Sequence, residues 1–161
     1  MTERQDTVKY PDAPVTRTPA GDELTGLILR VVRLSGLFTA KGESLARPDG
    51  QTLARWVVLD AAAAGPTTVA RISRTLGYAR QSVQRVADLL VADGLAVYQD
   101  NPAHRRAKLL APTTAGRRTA RRINERQKAW ADALGAEIGE ADLATIGRLL
   151  DRLLEAMREE R

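Results

Sequence analysis

Residues 68–95 read TVARISRTLGYARQSVQRVADLLVADGL, and their spacing decides the fold. Val69, Ile72 and Leu76 recur at helical intervals and stop at Gly77, a residue that takes up the left-handed conformation ending a helix at no steric cost. A second helical pattern starts near Ala79. It puts Val83, Val86, Ala87 and Leu90 on one face before Gly94 closes it. Two short helices joined by a tight turn predict a helix-turn-helix. The opposite face of the second helix carries Arg80, Gln81, Ser82, Gln84 and Arg85. In that motif the first residues of the second helix meet base edges in the major groove. Arginine can read guanine, and glutamine adenine, through paired hydrogen bonds. An ordinary solvated face has the same composition, so the flanking segments must separate the two readings.

Downstream, residues 95–99 read as a short strand, Asp100-Asn101-Pro102 as a turn, and residues 108–111 as the returning strand. The hairpin tip is basic, His104-Arg105-Arg106, with Lys108 behind it. A basic hairpin directly after a recognition helix reaches phosphates or the adjacent minor groove. Arg117, Arg118, Arg121 and Arg122 follow, and are read mainly as solvating their own helix. Upstream, Thr52 is a candidate N-cap for a helix over about 52–64. Its Trp56-Val57-Val58-Leu59 run leaves little polar face, which predicts burial from several sides.

Three longer helices are expected outside this lobe, over about 22–46, 115–138 and 142–158. The first carries an apolar stripe that includes Leu24 and Leu27. The last carries Leu143, Ile146, Leu150, Leu153, Leu154 and Met157. One small lobe cannot cover both stripes, so a homodimer is expected. Residues 1–20 hold Pro11, Pro14 and Pro19 among polar residues and read as a flexible arm. The expected fold is mainly α with a small β-hairpin wing. A winged lobe over about 52–114 joins a helical dimerisation platform over about 21–46 and 115–161.

The charge distribution agrees. Residues 66–126 contain 12 Lys/Arg against 4 Asp/Glu, and the remainder 13 against 16, within a chain of net charge +5. The positive field therefore belongs to the segment with the proposed DNA contacts. The absence of cysteine excludes disulfides, thiol sensing and cysteine-ligated zinc, and a single histidine cannot build a histidine metal site. No metal or cofactor is expected. No run approaches the roughly 20 apolar residues of a membrane span, and no apolar secretory core opens the chain. A cytoplasmic location without membrane contact is the expectation. An enzyme is not expected, because every Ser-His or Cys-His pairing would need His104.

From about Gln51 to Gly116 the chain resembles the multiple-antibiotic-resistance regulator (MarR) family. The residues that carry the likeness are the quoted stretch, the wing Asp100-Asn-Pro-Ala-His-Arg-Arg-Ala-Lys-Leu-Leu110, and Thr113-Thr-Ala-Gly116. The resemblance implies a two-fold dimer on palindromic double-stranded DNA, usually a repressor. In many members a small aromatic or phenolic anion binds between platform and winged lobe and releases the DNA. Thr68 joins the DNA-contacting set on this basis. Trp56 and Phe38 fall where family pockets form, with Arg33 or Arg55 to meet an anion, although an aromatic on an apolar helix is more often core. The family wing usually carries Asp-x-Arg. Here Arg106 matches the arginine and His104 replaces the aspartate, and Pro112 stands where leucine is usual. The residues alone leave two alternatives open: a DNA-binding protein without an effector, and a winged helix used for protein or RNA contact.

Overall fold

The computed structural model describes residues 16–104 and 106–159. Its elements are α1 (Pro19–Ala46), a 3-10 turn (Arg47–Asp49), α2 (Leu53–Ala63), β1 (Thr67–Thr68), α3 (Val69–Leu76), α4 (Arg80–Ala92), β2 (Ala96–Gln99), β3 (Leu109–Pro112), α5 (Thr114–Ile138) and α6 (Glu140–Glu159). The chain is mainly helical with a small sheet, as its sequence predicts. No helix among the described residues is long and apolar enough to cross a membrane.

The chain divides inside α1 into two compact units, one ending at Phe38 and one starting at Thr39. In the first, α1 begins at Pro19, inside the stretch read as an arm; residues 1–15 of that arm lie outside the described residues. The start has a local cause. Thr18 Oγ1 accepts from Gly21 N–H at 3.1 Å, and Pro19 occupies the first helical position, where a missing N–H costs nothing. Leu24, Leu27, Ile28, Val31 and Phe38 are all exposed along this stretch.

The second unit holds the core. Val58, Leu59, Ala62, Val69, Ile72, Val83, Ala87, Leu90, Ala96, Leu110 and Ala120 form one buried cluster. The apolar faces read from the sequence for α3 and α4 both turn into it. Threonine caps start the helices: Thr52, Thr68 and Thr113 accept from Arg55, Arg71 and Gly116 N–H respectively. At the end of α4, Gly94 adopts φ 68°, and Leu95 N–H reaches Leu90 C=O at 2.9 Å while Gly94 N–H reaches Val91 C=O at 3.0 Å. These two bonds satisfy the last carbonyls and aim the chain into β2.

The sheet has three strands, not the two of a hairpin, in the order β1-β3-β2. β1 is antiparallel to β3, with Thr67 opposite Leu110 and Thr68 opposite Leu109. β2 meets the other edge of β3, with Tyr98 opposite Leu110 and Gln99 opposite Leu109. The start of α3 is thereby tied to the base of the wing.

A buried carboxylate fastens the 3-10 turn to α5. The Asp49 side chain is 6% exposed and pairs with both Arg122 and Arg126, and Arg126 Nε also donates to Leu45 C=O at 3.0 Å. Burial alone would push the Asp49 carboxyl up, but the hydrogen bonds and charges of Arg126 and Arg122 together hold it below its ordinary value of 3.8. A carboxylate with a lowered folded-state pKa stabilises fully above its unfolded value and loses that contribution as pH falls through the folded value. Asp49→Asn should therefore cost about 1.5–3 kcal/mol in urea unfolding at pH 7, the range for hydrogen bonds to charged groups. The gap from wild type should shrink as pH drops below 3.8. A gap that persists once the wild-type carboxyl is protonated would assign the effect to packing.

Candidate nucleic-acid interface

The turn between α3 and α4 is fixed by its own side chains. Ser73 Oγ donates to Tyr78 C=O at 2.7 Å, and Tyr78 N–H returns to Ser73 C=O at 3.2 Å. Ala79 then starts α4 without a side-chain cap, so the first-turn N–H groups have no side-chain acceptor and can meet an anion. Arg80, Gln81, Ser82 and Arg85 are exposed on this helix, and Gln84 is half-buried.

Gln84 belongs to a small network. Its Nε2 donates towards Asp88 Oδ1 at 2.9 Å and towards the Tyr98 hydroxyl at 2.7 Å, and that hydroxyl donates to Asp88 Oδ1 at 2.7 Å. Tyr98 sits on β2, so the network joins the recognition helix to the wing. Burial, and then the neighbouring Asp88 carboxylate, push the Tyr98 phenol up to about 12, so it remains a donor at neutral pH. No sequence motif marks Tyr98 or Asp88 as part of the site. Asp88 lies four residues beyond Gln84, a spacing that predicts a helix-face pair; nothing local in the sequence points to Tyr98.

The wing turn is organised by Asn101. Its Nδ2 donates to Ala107 C=O at 2.9 Å and its Oδ1 accepts from Ala103 N–H at 3.1 Å. His104, Arg106 and Lys108 are exposed around it, and Arg105 lies outside the described residues. Thr68, Arg80, Gln84, Tyr98, Arg106 and Lys108 line one cleft of about 310 Å³ between α4 and the hairpin. Helix-face and wing residues are thus brought together. Thr68 is half-buried, and its hydroxyl oxygen caps α3. Arg117 donates to Pro112 C=O at 2.8 Å, Arg121 pairs with Glu125, and Arg122 and Arg126 pair with Asp49; four of the five arginines of α5 therefore have partners within the protein.

The four residues read as ligand contacts are placed differently. Arg33 and Phe38 are exposed on α1 in the first unit. Arg55 pairs with Asp93 beyond the end of α4. Trp56 donates from Nε1 to Asn124 Oδ1 at 2.7 Å, and Asn124 Nδ2 donates to Asp60 Oδ1 at 2.6 Å. Trp56 also packs against the small cluster of Leu45, Ala46 and Ile123, as does Trp130. Beside it an open cavity of about 780 Å³ runs between α2 and α5, with Arg117, Arg121 and Lys128 among its lining residues. Among the described residues no group of three or more histidine, aspartate or glutamate side chains could hold a metal ion.

Comparison with known proteins agrees with this geometry. The model of the MarR family matches residues 49–107, from the 3-10 turn to the wing. An uncharacterized protein of Mycobacterium tuberculosis is 39% identical over 140 residues, which cover 87% of this chain and 98% of that protein. The structure of a MarR family regulator from Neisseria meningitidis is similar at TM-score 0.72 and 24% identity, over 86% of this chain and 95% of that one. Staphylococcus aureus MarR, in complex with salicylate and kanamycin, matches at TM-score 0.72 and 15% identity over the same shares. At those identities the two structures speak for the fold alone. The sequence match, the winged lobe and its basic cleft together place the chain in the MarR family of DNA-binding transcription regulators.

Proposed function

We propose that the chain is a cytoplasmic homodimeric repressor that binds palindromic double-stranded DNA and releases it when a small lipophilic anion binds. The observation that carries the DNA reading is the cleft itself. It sets Arg80 and Gln84 of the recognition helix beside Arg106 and Lys108 of the wing, so one docking engages base edges and backbone together. Two-fold symmetry suits half-sites one helical turn apart, roughly 34–36 Å. The exposed apolar residues of α1 and of α6 are the surfaces a second copy would cover.

The effector reading rests on the cavity beside Trp56. The aromatic wall at Trp56 suits a flat ring, and Arg117, Arg121 and Lys128 suit its carboxylate once they turn from Pro112 C=O, Glu125 and Asp132. Salicylate, present in the Staphylococcus aureus complex, has that chemistry and is a direct probe. Its binding should quench tryptophan fluorescence and weaken DNA binding over the same concentration range. Quenching without DNA release would favour an effector-free regulator that merely has a cavity.

Selection from random duplex DNA tests the main reading, and a palindrome is the expected product. Diffuse binding would support an architectural role, and no binding a protein-contact role. Arg80→Ala should then relax preference at one position per half-site, at a loss of about 1–3 kcal/mol. Arg106→Ala should weaken binding to all sequences and lower the logarithmic salt slope by about 1 per subunit. Unchanged affinity in both variants would argue against this docking mode.

A further inference from the structure

We infer that Tyr98 and Asp88, through the triangle they form with the Gln84 amide, set which base Gln84 reads. The inference rests on α4 acting as the recognition helix. An amide side chain is two-faced: its nitrogen only donates and its oxygen only accepts. An isolated glutamine can turn either end towards a base. Gln84 is held in one orientation because Asp88 presents a carboxylate oxygen beside it as an acceptor. Its Oδ1 lies 2.9 Å from Gln84 Nε2, and the Tyr98 hydroxyl lies 2.7 Å from both of those atoms. Reversing the amide would set the Gln84 oxygen against the Asp88 carboxylate, with two acceptors facing each other.

The nitrogen end is therefore anchored to the protein and the carbonyl oxygen is the opposite end. The three polar atoms form a tight triangle, so a single N–H direction serves both partners. The second N–H hydrogen, about 120° away in a planar amide, stays available. A fixed carbonyl accepts from an exocyclic amino group, which in the major groove means adenine N6 or cytosine N4. With the second hydrogen on N7 it completes the paired contact to adenine. Guanine and thymine present only acceptors at the corresponding positions; the free N–H can meet one of them, but the fixed carbonyl beside it is then left without a donor, so only adenine satisfies both ends. Tyr98 and Asp88 are positioning residues in this account, and neither needs to touch DNA. Because Tyr98 stands on β2, the wing takes part in setting what the helix reads.

The test is selection from random duplex DNA at fixed salt with wild type, Gln84→Ala, Tyr98→Phe, Asp88→Asn and Asp88→Leu. Wild type should favour adenine or cytosine at one position per half-site, on the order of tenfold over guanine and thymine. Gln84→Ala should flatten that position and leave the others. Asp88→Asn and Asp88→Leu no longer enforce one amide orientation and should admit guanine or thymine there, with the rest of the motif retained. Tyr98→Phe keeps the ring and should reduce the preference to a few-fold. If Gln84→Ala alters no position, or if the Asp88 and Tyr98 variants leave the Gln84-dependent position as in wild type, the inference is overturned while the regulator reading stands. If wild type selects no motif at all, both fall together.

Discussion

Leu150→Asp or Leu154→Asp should leave the chain monomeric at micromolar concentration and lower its affinity for a palindromic site by more than about 100-fold. Leu143, Ile146, Leu149, Leu150, Leu154 and Met157 are exposed along α6, a longer apolar stripe than a solitary chain normally presents to water. Burying a leucine side chain is worth about 1.5–3 kcal/mol. A two-fold interface uses the same residue twice, so the loss is about 3–6 kcal/mol before the cost of enclosing two carboxylates is added. Each factor of ten in affinity corresponds to about 1.4 kcal/mol. A monomer also gives up the second half-site, which couples assembly to DNA binding. Because the side chains are exposed within one chain, the variants should keep wild-type helical content, and circular dichroism checks that. Light scattering of a monomeric wild type, or a variant that stays dimeric with unchanged DNA affinity, would remove α6 from the interface.

The winged lobe was legible because its signals are local. Thr68, Gly77 and Gly94 bracket α3 and α4 by cap chemistry that needs no knowledge of the remaining chain. The apolar spacing within those helices points to one core, and Val69, Ile72, Val83, Ala87 and Leu90 all lie in it. What escaped the reading depends on partners distant in sequence. Thr67 and Thr68 form a strand only because Leu109 and Leu110 arrive beside them; two residues carry no alternation of their own. The family resemblance offers Arg33 or Arg55 to an anion, and Asp93, 38 residues from Arg55, pairs with it. Gln84 is a paired adenine reader by its chemistry, and the Tyr98 hydroxyl that fixes its orientation comes from another element. Composition groups Pro19 with Pro11 and Pro14, whereas the Thr18 cap makes it the first residue of a helix.

Gly116→Ala should produce the largest loss of stability of any glycine-to-alanine change in this fold. In an exposed helix the change normally helps, since alanine exceeds glycine by about 0.8–1.0 kcal/mol in helix propensity. Gly116 lies in the first turn of α5, and its sequence offers no warning. A Cβ built there would stand 1.9 Å from Leu95 C=O oxygen, 2.9 Å from that carbonyl carbon and 3.2 Å from Leu59 Cδ1. The nearest obstacle is backbone, so no side-chain rotation relieves it. The Leu95 carbonyl also accepts from Thr113 N–H at 3.0 Å, and Thr113 Oγ1 donates to Gly94 C=O at 2.7 Å. Separating α5 from the base of the wing by the ångström or so required would break both bonds and open the core at Leu59. Overpacking costs about 1–3 kcal/mol where side chains can shift; against fixed backbone, with two hydrogen bonds lost as well, at least about 3 kcal/mol is expected. Gly36, a helical glycine with nothing within 4 Å of its own Cβ position, is the internal comparison. Urea unfolding of Gly36→Ala should match or exceed wild type, and Gly116→Ala should unfold far earlier or fail to accumulate. Equal midpoints for the two variants would mean that α5 and the wing do not meet as closely as this contact requires.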